Sequence, residues 1–282
     1  MTKNFQLHST YLQIIVTENS LQFLPIFPVE QEKSKEGPIM KVKEVEITAN
    51  VAWSPKDQYP ILLAGGTAAQ QLDASFDTTS SLDIYSLNLN ESGKTMPKVS
   101  SLSVENRFHS LVWSPQGVIV GGMERGLIQV YDASKVIKGE NDSMTFSKDK
   151  HTGAVNALDI NPFQTNLLVS GASDSEIFIW DLNKLQTPMT PGAKAQPLED
   201  VKSVAWNRQV QHILSTTSHS KCVVWDLRKN EPIIKVSDSA SGARMRYKAV
   251  AWHPVSKIKI LKLKPTLTKI NFFFRRLPRN FV

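Results

Sequence analysis

The chain has 282 residues, 41% of them apolar, which is enough to build a sizeable core and excludes wholesale disorder. It holds no run of about 18 apolar residues, and its one cysteine, Cys222, can form neither an intramolecular disulfide nor half of a zinc site, so it reads as a reduced, cytosolic chain without a membrane span or clear signal peptide. The formal charge of +7 invites a nucleic-acid partner, yet eight of the 33 Lys and Arg lie in residues 255–282, leaving 25 basic against 26 acidic residues upstream, so nucleic acid is set aside.

Residues 1–39 carry a short apolar run from Tyr11 to Val16, then Pro25, Pro28 and a charged stretch from Glu30 to Glu36. They are predicted to be a disordered extension. From Met40 onward a strand-like pattern recurs four times, with a fifth copy cut short. Each copy opens on a short apolar run and a turn: Val51-Ala52-Trp53-Ser54-Pro55, Leu111-Val112-Trp113-Ser114-Pro115, Leu158-Asp159-Ile160-Asn161-Pro162, Val204-Ala205-Trp206-Asn207, and Val250-Ala251-Trp252-His253-Pro254. The third residues of these openings are 60, 47, 46 and 46 apart. A second apolar run follows, then a polar turn, then a third strand closing on Tyr131-Asp132, Trp180-Asp181 or Trp225-Asp226. The first copy diverges through a long polar insertion, Thr67 to Ser80.

A period of about 40 to 45 residues with four short strands and a closing Trp-Asp is the signature of WD-repeat β-propeller blades. The predicted fold is therefore all-β: an incomplete propeller over residues 40–254, about four blades plus the start of a fifth. A twisted sheet of four strands cannot bury both faces alone, so blades stack around an axis. Residues 255–282 are Lys-rich and end in Phe272-Phe273-Phe274-Arg275-Arg276 where a blade opening ought to continue. They are predicted to be a disordered or non-native basic tail.

His151, Ser170 and Asp174 include the residue types of a hydrolytic triad. In the third copy, however, they fall before the first strand, in the second strand and in the turn after it, with Trp180 closing the third. Those are the places where WD-repeat blades hold a hydrogen-bonded His-Ser-Asp-Trp network, so the four are read as structural. No Gly-x-Ser-x-Gly elbow accompanies them. Arg125 and His219 stand in place of the turn Asp in the second and fourth copies. His109, His212 and His253 fall singly without a second ligand at metal spacing, so no metal or cofactor is assigned and no catalytic residue is named. Gly65-Gly66 and Gly121-Gly122 lack the helix a phosphate loop needs and read as close packing. Cys222, between Lys221 and Val223 of a strand, reads as a small buried residue. The two sequons at Asn90 and Asn141 read as ordinary loop triplets, and Thr187-Pro188 and Thr190-Pro191 lie in a long connection, 183–199, open to proline-directed phosphorylation.

Beyond the repeat, several loop stretches resemble one family: the large outer-coat subunit of the COPII vesicle coat. They are Gly65 to Asp73, Asn161 to Asn166 (NPFQTN), Ser175 to Asn183, Thr187 to Ala193 (TPMTPGA), Trp206 to Leu214 (WNRQVQHIL) and Val224 to Asp238. The resemblance covers about 215 residues, Met40 to Pro254. It implies a non-enzymatic coat component in endoplasmic reticulum to Golgi transport, whose propeller acts as a cage-vertex interaction module. It also implies the small propeller subunit of the outer coat as partner, other coat subunits besides, and a place on the cytosolic face of the endoplasmic reticulum membrane, reached only through the coat. Family members continue past the propeller with the segment that binds the small partner, which this sequence lacks, so the chain reads as truncated. An incomplete ring predicts exposed sheet edges and a poorly soluble product. The alternatives are a generic WD-repeat adaptor, such as a ubiquitin ligase substrate receptor, and a hydrolase built on His151, Ser170 and Asp174.

Overall fold

A computed structural model describes residues 11–17, 20–25, 40–55, 61–68, 71–72, 78–237, 247–252, 259–265 and 270–276. The body is all-β, laid out as six antiparallel sheets in succession. The first joins β1 (Tyr11–Thr17), β2 (Ser20–Pro25) and β3 (Met40–Glu46) in the order β2-β1-β3. The second joins β4 (Ala49–Trp53), β5 (Leu62–Thr67), the short β6 (Gln71–Leu72), β7 (Thr78–Ser86) and β8 (Lys98–Val104), with β6 and β8 both on β7.

The next three sheets are blades in plain sequential order. They comprise β9 (Phe108–Ser114), β10 (Val118–Met123), β11 (Leu127–Asp132) and β12 (Met144–Asp149); then β13 (Ala157–Ile160), β14 (Leu167–Gly171) and β15 (Ile177–Asp181); then β16 (Ser203–Trp206), β17 (Ile213–Thr217), β18 (Lys221–Asp226) and β19 (Glu231–Ser237). The sixth joins β20 (Ala249–Trp252), β21 (Lys259–Pro265) and β22 (Ile270–Arg276). In every copy the predicted opening is the first strand of its sheet. These first strands stand side by side around a common axis: β4 beside β9, β9 beside β13, β13 beside β16 and β16 beside β20. This is the incomplete propeller that the repeat implied.

Two end segments differ from the expectation of disorder. Strands β1 and β2 fall within residues 1–39, and β21 and β22 fall within residues 255–282, where β21 continues the fifth opening in the register Trp252↔Ile260. In the tail, Lys alternates with Ile or Leu from Lys257 to Lys264 with one slip, which is a period-two strand pattern beneath the charge. The remainder of those two segments, and His253 at the end of the fifth opening, lie outside the described residues.

The apolar core is divided among the spaces between sheets. One cluster, with Leu82, Ile84, Phe108, Ile119 and Tyr131, fills the gap between the second and third sheets. Val120, Val130, Leu168 and Trp180 fill the next gap, Val169, Trp206, Leu214 and Trp225 the one after, and Val224, Val250 and Trp252 the last. The paired glycines set how closely the second and third sheets approach. A Cβ on Gly66 or on Gly121 would come within 2.5 Å of the Phe108 ring, one from each sheet.

One element was absent from the sequence reading. Between β11 and β12 runs a short helix, α1 (Ala133–Lys138). Asp132 caps it by accepting from the Ser134 and Lys135 N–H groups, and Gly139, at φ 74°, ends it in the left-handed conformation.

Gly121→Ala is expected to overpack the gap between the second and third sheets and lower stability by about 1–3 kcal/mol. Pairing it with Phe108→Leu, which frees ring volume at the same place, should recover part of that loss. Urea unfolding of the two variants checks this; equal losses for the single and double variants would contradict it.

Candidate functional site

The most elaborate polar constellation lies inside the third blade. His151 sits in the connection entering β13, Ser170 on β14 and Trp180 on β15, and all three are buried. The Trp180 indole N–H donates to Ser170 Oγ at 2.8 Å, and Ser170 Oγ lies 2.7 Å from His151 Nε2. The Glu176 carboxylate can only accept, so Nδ1 of the neutral ring donates to it and Nε2 accepts the Ser170 hydroxyl hydrogen. The imidazole then carries its proton on Nδ1, which faces Glu176 Oε2 at 3.3 Å. Glu176 also accepts from the Thr152 N–H at 2.9 Å and from Lys194 Nζ at 3.0 Å. Phe178 packs on the imidazole with ring centres 4.6 Å apart.

Here the sequence reading is corrected in one member. Asp174 does not bond the histidine: it is exposed, at the hairpin turn, and among the described residues its carboxylate meets Thr152 Oγ1 at 3.4 Å. Asp174 and Ser175 have φ of 54° and 56°, so both centre residues of the turn are left-handed, a conformation that Asp tolerates well. The carboxylate that orients His151 is Glu176, two residues on. Once the turn ends, the strand pleat carries position 176 inward.

The same site decides the hydrolase alternative. Ser170, His151 and Glu176 have the connectivity of a nucleophile, base and orienting acid, but Ser170 is fully buried. A substrate carbonyl has no approach to Oγ, and the indole N–H occupies a lone pair an attack would use. Burial also pulls the His151 pKa down to about 4, only partly offset by Glu176, so the ring is neutral at pH 7. The arrangement locks three strands together and leaves no open face for chemistry.

The other copies carry reduced versions. In the fourth, the Trp225 indole donates to Thr216 Oγ1 at 3.0 Å. In the second, Tyr131 donates to Gln129 at 2.6 Å, and in the first Tyr85 donates to Asp83 at 3.1 Å, with Ser101 and Lys98 on the same carboxylate. The closing aspartates all do one further thing. Asp132, Asp181 and Asp226 each accept the backbone N–H two residues on, at Ser134, Asn183 and Arg228, which folds the chain sharply after the third strand.

Loops singled out by their wording are those that tie one blade to the next. Asn161 of NPFQTN accepts from the Phe163 and Gln164 N–H groups and donates to the Gln211 carbonyl of the following blade at 2.8 Å. Ser114 makes the matching link to the Thr165 carbonyl at 3.1 Å. In WNRQVQHIL, the Trp206 N–H and Arg208 both bond the Asp159 carboxylate of the preceding blade, at 2.7 and 3.1 Å. The connection 183–199 is anchored by a two-way backbone bridge between Ile179 and Met189, and by Lys221, whose ammonium donates to the Ala195 and Pro197 carbonyls. Thr187 and Thr190 of that connection are exposed. Cys222 is buried. Among the described residues, no group of three or more His, Cys, Asp or Glu is placed to hold a metal ion.

Comparison with known proteins places these features in a lineage. Residues 143–181 match the family model for the WD domain, G-beta repeat. Over 225 residues, 76% of this chain, the sequence is 54% identical to protein transport protein Sec31A of Gallus gallus and 53% identical to that of Homo sapiens. Over 239 residues it is 35% identical to protein transport protein SEC31 of Dictyostelium discoideum. In each case the match spans 18% of the relative, so this chain covers about a fifth of their length. A solved structure described as "COPII on membranes, outer coat vertex" superposes with a TM-score of 0.70 at 29% identity, covering 80% of this chain and 60% of that one.

Because the neutral His151 must gain a proton on unfolding below its ordinary pKa of 6.5, its depressed native value costs stability as pH falls from about 6.5 toward 4. Between pH 7 and pH 5 this amounts to about 2 kcal/mol. Unfolding free energies from urea titrations at the two pH values should differ by that much in the parent chain and clearly less in His151→Gln. An undiminished difference would mean another group carries the acid sensitivity.

Proposed function

The chain is a homologue of the Sec31 protein transport proteins, and from that premise we propose that it is a structural component of the COPII outer coat. Its propeller works as a protein-interaction module at cage vertices in endoplasmic reticulum to Golgi transport. The observation that carries this reading is identity of 54% sustained over 225 residues, far more than a shared propeller architecture demands. The likeness to a solved outer-coat vertex supports it from the side of shape. The role is binding and not catalysis. A rim of loops tied down by Asn161, Asp159 and Glu199 offers contact groups at fixed geometry, and weak contacts repeated by symmetry hold a lattice.

The partners in this reading are other coat subunits, met by the propeller rim on the cytosolic face of the endoplasmic reticulum membrane, and the small propeller subunit of the outer coat is a partner by family resemblance alone. No helix among the described residues is long and apolar enough to cross a membrane, so the chain would reach that membrane through the coat.

Reconstitution on liposomes with purified inner coat, its GTPase and the small outer-coat propeller tests this. The chain is expected to float with the coated liposomes, and an excess of full-length Sec31A should displace it. Flotation no greater than that of an unrelated propeller would overturn the proposal. Capture of ubiquitin ligase subunits by the chain in place of coat would support the adaptor alternative.

A further inference from the structure

Four Ser or Thr residues of the chain stand immediately before a proline: Ser54, Ser114, Thr187 and Thr190. As sequence, all four suit a proline-directed protein kinase, which takes its substrate extended, and sterics favour an extended conformation for the residue before a proline. Such a kinase must reach the hydroxyl and also seat the proline that follows. The fold separates the four. Ser114 is fully buried, and its Oγ donates to the Thr165 carbonyl at 3.1 Å. Ser54 is half-buried, and its Oγ accepts the Leu62 N–H at 2.9 Å.

Thr190 is exposed, but Pro191 after it is buried. The next residue, Gly192 at φ 145°, lies so close to the fourth blade that a Cβ on it would come within 2.5 Å of the Asn230 carbonyl oxygen. On the other side, the backbone bridge to Ile179 holds Met189. A kinase that engages Thr190 has to undo both attachments. Thr187 differs: it is exposed, Gln186 before it is exposed, and Pro188 after it is half-buried. To engage Thr187, lifting Met189 from the edge of β15 is enough.

We propose that Thr187 is the phosphate acceptor of this chain for a proline-directed protein kinase, and that Lys148 is the cation that meets the phosphate. In the transfer the γ-phosphorus of ATP forms a bond to Thr187 Oγ1. The bond to the β,γ-bridging oxygen breaks with its electron pair, ADP leaves, and the hydroxyl proton passes to a carboxylate base of the kinase. Lys148 is already in place. From β12 of the second blade its ammonium donates at 2.7 Å to the Gln186 carbonyl, the peptide group that leads into Thr187. A phosphothreonine carries about −1.5 to −2 charges at pH 7, so it is a stronger acceptor for that ammonium than a neutral carbonyl. Modification would therefore tighten the connection 183–199 onto the second blade. This site does not depend on the coat reading and stands or falls apart from it.

A synthetic peptide of residues 183–194 selects the probe: a mitogen-activated protein kinase that phosphorylates both of its threonines at comparable rates. The same kinase and ATP are then given to the whole folded chain, and the sites are mapped by mass spectrometry. Thr187 is expected to be modified at least tenfold faster than Thr190, Ser54 or Ser114. Thr187→Val should remove nearly all incorporation and Thr190→Val almost none. By phosphorus NMR the phosphate should titrate at a lower pH in the chain than in the peptide, and Lys148→Gln should bring the two together. A folded chain that takes no phosphate where the peptide does, or that takes it at Thr190 as fast as at Thr187, overturns the acceptor. Equal titration in chain and peptide overturns the role of Lys148. The mapping is made on the parent chain, so it does not rest on the folding of any variant.

Discussion

The structure depends on sheets that are buried on both faces. In β17 and β18 every residue is buried, so neither side of that sheet meets water. Such a sheet has no stable existence alone. It must be covered by a neighbour on each side, and the right-handed twist of the strands turns that requirement into a circle of wedges. The core is accordingly divided into separate clusters, one per gap between sheets, each contributed by two copies of the repeat. Sequence repetition and interface repetition are the same fact seen at two scales.

Packing alone leaves register open, because a shift of two residues preserves which side chains face which gap. The polar groups close that freedom. An indole that must reach Ser170 or Thr216 fixes β15 against β14 and β18 against β17, since a slip would leave a buried N–H without an acceptor. The turn residues do the same at the rims. Asn161 and Asn207 each accept the N–H two residues on, and Asn161 spends its amide on the next blade, so the fold of one turn is coupled to the placement of its neighbour.

Most of this architecture was legible in the sequence because the repeat is a physical unit. The openings, the closing Trp-Asp pairs and the His151–Ser170–Trp180 set all occupy the places their spacing implied. What escaped shows the limits of pattern. Asp174 has the right residue type at the right turn, yet the turn needs it for its left-handed backbone, and the inward-facing position belongs to Glu176. The alternation of strand side chains could have indicated this, since 176 and 178 share a face and Phe178 packs on the histidine. Helix α1 was signalled by Asp132 and Gly139, a cap at each end, but six residues are too few for a periodic signal. In the tail, the charge of the lysines drew attention from their alternation with Ile and Leu.

The buried network also fixes how the third blade is joined to the second. The Gly126 carbonyl accepts the N–H groups of both Lys150 and His151, and a Cβ on Gly126 would fall 1.7 Å from the His151 carbonyl oxygen. The connection between the second and third blades is therefore gripped from outside by the hairpin turn of one and from inside by the histidine network of the other. Four residues later the Val155 N–H bonds the Met123 carbonyl, and its own carbonyl accepts from Ser110. Between these fixed points the chain has little freedom before it enters β13 at Ala157. A network with no solvent-facing chemistry thus determines where the first strand of the third blade begins. That is how a rigid propeller converts buried hydrogen bonds into the placement of its blades.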